Sequence, residues 1–174
     1  MIHALAVRRL RAYARDCLSY SVIAVAEIPL GLLIARKGRD VNPGLVAALS
    51  CVPPLAATVW AAVAEQQSAG ATWGKRAEHL RVRSARSTAG LSRMLVRNSI
   101  KIALPWTLGH VVAFGAASGR LDRGDRRIWF ALVANTVLTI ATTLLAVTGS
   151  GRTIHDRVSG TRVEGDLVHQ PDRT

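Results

Sequence analysis

The chain has 174 residues, of which 49% are hydrophobic, with a formal net charge of +12 and a mean hydropathy of +0.23. This length suits one compact unit, but the apolar content exceeds that of an ordinary soluble domain and comes in long blocks. The basic residues flank these blocks and avoid their interiors, a distribution that argues against a nucleic-acid-binding protein and favours a membrane protein.

The first apolar block covers 17–35 and is long enough to cross a hydrocarbon core of roughly 30 Å as a helix. It contains Glu27, two residues before Pro29. A carboxylate at that depth is costly and usually faces a bundle interior or a water path, so Glu27 is a candidate proton or cation site. The alternative is a protonated glutamate that hydrogen-bonds a neighbouring helix as a packing contact.

The second apolar block, 45–64, predicts a second span and is followed by a long polar segment. Within that segment, 80–84 alternates apolar and basic residues with the period of a strand, and 160–164 shows a similar pattern. We predict that these two segments pair as a short β-sheet in a basic cytoplasmic patch.

Leu91, Met94 and Leu95 fall on one helical face and predict a short helix at the membrane interface. A solvated basic loop is the alternative for this segment.

The third and fourth blocks cover 99–119 and 128–149, and Lys101, Pro105 and His110 interrupt the third. The expected fold is therefore an all-α membrane protein, a bundle of about four transmembrane helices. His110 and Asn135, from the last two spans, are candidate partners of Glu27. A lone histidine in a span is more often a plain packing residue.

The distribution of lysine and arginine predicts the orientation of the chain. With the N-terminus inside, fifteen of these residues lie in inner segments and seven in outer loops. This bias predicts a multi-pass membrane protein with both termini in the cytoplasm, next to anionic headgroups. We expect 1–165 to form the membrane domain and 166–174 a flexible tail.

The sequence contains no pattern typical of an enzyme or a cofactor site. No cysteine–histidine cluster has metal-ligand spacing, no glycine-rich loop has a phosphate-binding pattern, and there is no nucleophile elbow. We therefore expect no metal, no cofactor and no catalytic activity. An enzyme acting on lipid through His155 and Asp156 is the least favoured reading, because adjacent side chains rarely point at one substrate atom.

Three short stretches carry a resemblance to a known family. They are "RLRAYARD" with Arg9 and Asp16, "TWGKR" at 72–76, and "HDRVSGT" at 155–161. In order and spacing they resemble the RDD family of bacterial membrane proteins, named for one arginine and two aspartates, which here would be Arg9, Asp16 and Asp156. Trp73 departs from the pattern, since the family usually has proline there. Arg15 also departs, because it stands directly before the aspartate.

The resemblance implies a membrane fold and a short list of residues but no substrate, because the family's function is largely unknown and solute or cation transport is only suggested. Arg9 and Asp16 share a helical face but lie roughly 10 Å apart, too far for a direct pair. We therefore expect Arg9 to pair with Asp156 and Arg157 with Asp16, with His155 and Thr161 completing the hydrogen bonds. This cluster would be a structural latch or a cytoplasmic gate.

The "TWGKR" stretch contributes the remaining candidates, Thr72, Gly74 and Lys75. Gly74 and Lys75 could form a turn that contacts an anionic group. The commoner arrangement is a tight turn with Lys75 solvated or paired with a carboxylate such as Glu78.

Two functions follow from these features. The first is a transporter of a cation, a proton or a small solute, with Glu27 as proton carrier and Arg9, Asp16 and Asp156 at the cytoplasmic side. The second is a non-catalytic membrane subunit or scaffold that binds a larger complex. Four spans offer little room for a private pathway, so we expect a homo-oligomer or a larger membrane-protein partner.

Overall fold

A computed structural model describes residues 4–36, 42–67, 70–84 and 90–165. Its elements, in chain order, are α1 (Ala6–Ala26), α2 (Ile28–Arg36), α3 (Pro43–Ser50), α4 (Val52–Gln67), α5 (Trp73–Ala77), β1 (Leu80–Ser84), α6 (Leu91–Asn98), a π-helical segment (Ser99–Ala103), α7 (Leu104–Ala117), α8 (Arg126–Val147), α9 (Ile154–Val158) and β2 (Thr161–Gly165). The tail predicted over 166–174 lies outside the described residues.

Three helical units within the described residues are long and apolar enough to cross a membrane: Gly44–Gln67, Leu91–Ala117 and Arg126–Val147. They correspond to the second, third and fourth predicted spans. The first predicted span, 17–35, is divided between α1 and α2 at Glu27, and the first half of α1 is rich in arginine. The count of four spans therefore stays a prediction.

The predicted helix around Leu91 is present as α6, so the solvated-loop alternative is wrong. It is continuous with the third span, because the π-helical segment joins α6 to α7 without a break. Pro105 lies in the first turn of α7 and has no N–H for a hydrogen bond to the preceding turn. That missing donor gives a physical reason for the wider π-helical turn before it.

The predicted β-pairing is confirmed, with the second strand one residue later than expected. β1 and β2 are antiparallel, with Leu80 opposite Gly165 and Ser84 opposite Thr161. Val82 points inward and packs with Ala62 of α4 and Met94 of α6. The sheet thus ties the polar middle of the chain to the segment after α8.

Small residues bring the helices close together. Ala57 and Ala61 of α4 are fully buried in a cluster with Tyr20 and Ile102. Between α7 and α8, a Cβ on Gly115 would stand 2.5 Å from the side chain of Ile128. Glycine at this position is therefore what allows α7 and α8 to pack as a tight hairpin.

Candidate functional site

Asp156 lies in the first turn of the short helix α9, fully buried. The Thr153 backbone N–H and hydroxyl both donate to its Oδ2, at 3.2 and 2.8 Å. The backbone contact belongs to a capping box. Arg9 of α1 donates to the same oxygen at 2.8 Å. The predicted Arg9–Asp156 pair is confirmed, and a second Arg9 donor binds the Gly151 carbonyl.

Arg97 of α6 bridges Asp156 to a second carboxylate, that of Glu65 at the end of α4. Its Nε and NH2 lie 3.2 and 3.1 Å from Asp156 Oδ1, while NH1 lies 2.7 and 2.9 Å from the two oxygens of Glu65. Asn98 Nδ2 also donates to Glu65, at 2.9 Å. A planar guanidinium has several fixed donors, which suits it to join two carboxylates in this way.

Lys75 of α5 completes the contacts of Glu65 and extends them toward α1. Its buried ammonium lies 2.7 Å from Glu65 Oε1, 3.2 Å from Thr72 Oγ1 and 3.7 Å from Asp16 Oδ2. Lys75 is therefore buried and not solvated, and the predicted pairing with a carboxylate is confirmed, with Glu65 as the partner in place of Glu78. Glu78 forms an ion pair with Arg15 instead.

Asp16 of α1 caps α5 from outside that helix. The Thr72 hydroxyl donates to Asp16 Oδ2 at 2.7 Å, and the Gly74 N–H donates to Oδ1 at 2.9 Å. A Cβ on Gly74 would lie 2.1 Å from the Ala12 carbonyl oxygen, so only glycine lets the backbone come this close. The Asp16 carboxylate thus accounts for the presence of both threonine at position 72 and glycine at position 74.

These contacts form one connected set, which we call the buried charge cluster; its members are Arg9, Asp16, Glu65, Lys75, Arg97 and Asp156. It lies where α4 ends, where α6 ends and where the chain continues after α8, at one end of the bundle. Three carboxylates balance three cations, so each charge is compensated inside the protein.

Lys101 adds a further cation beside the cluster, in the π-helical segment. Its ammonium lies 5.3 Å from the centroid of the Tyr13 ring of α1, in a cation–π contact. The basic side chain that interrupts the third span therefore faces α1.

The electrostatics at Asp156 follow from these partners. Burial alone would raise the pKa of its carboxyl, but the positive charges of Arg97 and Arg9 outweigh burial and hold that pKa well below its usual range. His155, next in the chain, is also buried, and burial together with the Arg97 charge lowers the pKa of its imidazole well below the usual value. At neutral pH, Asp156 is thus ionised and His155 is neutral.

His155 belongs to the hydrogen-bond network of Asp156 through Thr153. The Thr153 hydroxyl gives its proton to Asp156, so it accepts from His155 Nε2, 2.8 Å away. Thr161 is buried and belongs to the same network through Ser159, because their hydroxyl oxygens lie 2.8 Å apart and the Ser159 hydroxyl donates to the His155 carbonyl. His155 and Thr161 therefore support the segment that carries Asp156, as expected in outline.

The predicted pairing of Arg157 with Asp16 is wrong. Arg157 is exposed and donates from Nε to the Arg152 carbonyl at 3.2 Å. Successive residues of a helix point about 100° apart, since there are about 3.6 residues per turn. With Asp156 directed into the cluster, Arg157 must face elsewhere.

The structure does not join the three residues of the candidate proton site. Glu27 is half-buried at the turn between α1 and α2, and its carboxylate has no hydrogen bond to another described residue. His110 Nε2 accepts from Trp106 at 3.1 Å, the packing role that we favoured for it. Asn135 Oδ1 is buried in α8 without a hydrogen-bond partner among the described residues.

Sequence reasoning missed Glu65 and Arg97, the two residues at the centre of the cluster. Glu65 stands one position beyond the predicted second span, where it was counted as part of a polar segment. Arg97 sits just before the third span, in the predicted interfacial helix that carries Leu91, Met94 and Leu95. The available signal was a lone acid and a lone base at the ends of two neighbouring apolar blocks.

No three His, Cys, Asp or Glu side chains within the described ranges are grouped as a metal site. Comparison with protein families gives one match: the sequence model of the RDD family covers residues 3–160. Neither a curated protein nor a solved structure matches the chain at a significant level. The matched region includes every member of the buried charge cluster.

Proposed function

The chain belongs to the RDD family, and we propose that it is a small protein of the bacterial plasma membrane that exchanges a monovalent cation, or a small cationic solute, for a proton. Both termini would lie in the cytoplasm, on the side of the buried charge cluster. The observation that carries this proposal is the position of the Lys75 ammonium, which is held between carboxylates of two different helices.

The surroundings of Lys75 Nζ are those of a small cation. Oxygens of Glu65, Thr72 and Asp16 lie at 2.7, 3.2 and 3.7 Å, and oxygen ligands also suit alkali-metal ions. A cation that enters this position would displace the ammonium, which releases one proton to become a neutral amine. One positive charge replaces another, so the exchange avoids leaving a carboxylate buried and unpaired.

Glu27 would carry protons further along α1. It lies eleven residues from Asp16, roughly 16 Å along a helix, at a turn where no described residue pairs with its carboxylate. No described cation holds the Glu27 carboxylate in place, whereas Arg9 and Arg97 both hold Asp156. We therefore assign proton transport to Glu27. The pair of Arg9 and Asp156 would hold α1 and α9 together at the cytoplasmic end of the bundle.

The proposal is tested by flux in proteoliposomes loaded with a pH-sensitive dye. A gradient of sodium, potassium or lithium is imposed, and proton movement is followed for wild type and for the variants Lys75→Met, Asp16→Asn and Glu27→Gln. We expect all three variants to lose proton-coupled flux. The matched control is Asp125→Asn, which alters an exposed ion pair with Arg120 outside the cluster.

Variants are compared only if they elute as a single species with the wild-type helix content. Lys75→Met leaves Glu65 paired with Arg97, so its fold is expected to survive. Wild-type flux in a folded Lys75→Met protein would refute the exchange at Lys75. Wild-type flux in Glu27→Gln would remove Glu27 from the mechanism.

A non-catalytic membrane subunit is the second candidate, and the exposed face of the sheet favours it. Arg83 and Arg162 are directly opposite each other in the antiparallel pairing; Glu164 forms an ion pair with Arg162, so one excess positive charge remains at this pair. Arg76 is exposed nearby on α5. A larger complex with an acidic surface would neutralise this face.

Native mass spectrometry of the protein released from its own membranes separates the two candidates. A fixed heteromeric mass supports the subunit, whereas a monomer or homo-oligomer that carries proton-coupled flux supports the exchanger. The exposed apolar side chains of α8, including Phe130, Val137 and Leu144, suit contact with lipid acyl chains.

A further inference from the structure

A cavity of about 510 Å³ lies outside the buried charge cluster, between α6 and the segment that includes α9. Its described lining residues are Ser92, Arg93, Val96, Arg157, Val158, Ser159 and Gly160. A volume of this order suits a small ligand or a lipid headgroup.

The polar part of the cavity is positively charged. Arg93 and Arg157 come from different elements, and no carboxylate is among the described lining residues. Arg93 donates to Ser84 Oγ at 2.8 Å and Arg157 to the Arg152 carbonyl at 3.2 Å. Each guanidinium keeps further N–H donors, and neither forms an ion pair with a described acid. Two such groups facing one cavity are suited to a phosphate.

The apolar part of the cavity points to a ligand that also has a hydrophobic portion. Val96 and Val158 line it, and they are 45% and 62% exposed. The cavity also lies at the first turns of the Leu91–Ala117 unit, which is apolar enough to cross a membrane. A ligand in this place would have its phosphate beside the arginines and its glycerol and acyl chains beside the valines.

We propose that this cavity binds the phosphate of an anionic phospholipid through Arg93 and Arg157. The two helices that line the cavity are also joined by the buried ion pair between Arg97 and Asp156. Arg97 lies in α6 one turn beyond Arg93, and Asp156 lies in α9 next to Arg157. A bound headgroup therefore joins α6 to α9 at the protein surface, while Arg97 and Asp156 join the same two helices in the protein interior. Lipid occupancy would stabilise the buried charge cluster.

The test is lipid titration of the delipidated protein in detergent, followed by native mass spectrometry and by thermal unfolding. Phosphatidylglycerol is compared with diacylglycerol of the same chains and with inorganic phosphate. We expect one phosphatidylglycerol to bind with a rise in Tm, diacylglycerol to bind weakly, and phosphate alone to bind less tightly than the lipid.

The double variant Arg93→Gln/Arg157→Gln should weaken phosphatidylglycerol binding by about tenfold or more and abolish the rise in Tm, because it removes charged hydrogen-bond donors. The control Arg76→Gln/Arg83→Gln has the same change in net charge on exposed residues outside the cavity and should bind as wild type. Both pairs are exposed, so folding is expected to survive in each. Equal binding by the two double variants overturns the proposal, as does phosphate binding that matches or exceeds lipid binding.

Discussion

Arg97 NH2 and Asp156 Oδ1 are 3.1 Å apart although 59 residues separate them in the chain, and their side chains are 1% and 0% exposed. Arg97 also holds Glu65. One guanidinium thus fixes the end of α4, the end of α6 and the helix α9 relative to each other. Removing it would leave two buried carboxylates short of a cation.

Arg97→Gln should therefore lower the free energy of unfolding by about 3–5 kcal/mol, the usual cost of stranding a buried charge. Arg97→Lys keeps the charge but loses the planar donors, so a smaller loss is expected. Denaturant unfolding in detergent, followed by tryptophan fluorescence, measures both. The control is Arg120→Gln in the exposed pair with Asp125, where a change below about 1 kcal/mol is expected. Equal losses at the two sites would mean that the cluster does not hold the fold.

The pH dependence of stability should show two separate contributions after α8. The folded pKa of Asp156 is depressed, so its stabilisation is present above its unfolded pKa of about 3.9 and is lost as the pH falls through the lower folded pKa. His155 is also depressed, and the unfolded imidazole takes up a proton below about pH 6.5 while the folded one does not. Stability should therefore fall on acidification first from about pH 6.5 and again below about pH 4.

Unfolding measured between pH 8 and pH 3 distinguishes these contributions. His155→Gln keeps a donor for Thr153 and should flatten the upper part of the profile only. Asp156→Asn should lower stability at neutral pH and reduce the fall in the lower part. A His155→Gln profile that parallels wild type between pH 7 and pH 5 would mean that His155 is not buried as a neutral imidazole.

Much of the architecture follows from sequence patterns that depend on one segment alone. The lengths of the apolar blocks predicted the three long helical units, and the alternation at 80–84 predicted β1 and its pairing. The Arg9–Asp156 pair followed from spacing and predicted topology, since Arg9 could not reach Asp16 and Asp156 was expected on the same cytoplasmic side.

The centre of the cluster could not be predicted because it depends on how helices cross. Glu65 and Arg97 stand at block ends, where a solvated residue and a buried ion look alike in sequence, and only the packing of α4 on α6 brings them together. The rotation of α9, which has five residues, is likewise set by its contacts, and this decided between Asp156 and Arg157.

The close approach of α5 to α1 gives a prediction about backbone packing. Gly74→Ala should destabilise the protein by about 1–3 kcal/mol, since the new methyl would overlap the Ala12 carbonyl and the Asp16 carboxylate. Gly90→Ala is the control, because nothing lies within 4 Å of a Cβ there. Unfolding curves for the two variants make the comparison. A neutral Gly74→Ala would show that α5 can move away from Asp16 at little cost.

The contact of α7 with α8 gives the last prediction. Gly115→Ala should separate these helices, because the added Cβ would stand 2.5 Å from Ile128, whereas Gly109→Ala meets nothing closer than 3.9 Å. Shortening the opposing side chain in Gly115→Ala/Ile128→Ala should recover part of the loss, which makes the effect specific to this contact. Thermal unfolding in detergent ranks the variants: Gly109→Ala near wild type, Gly115→Ala lowest and the double variant between them. If the double variant is less stable than Gly115→Ala, the two positions do not interact as the structure places them.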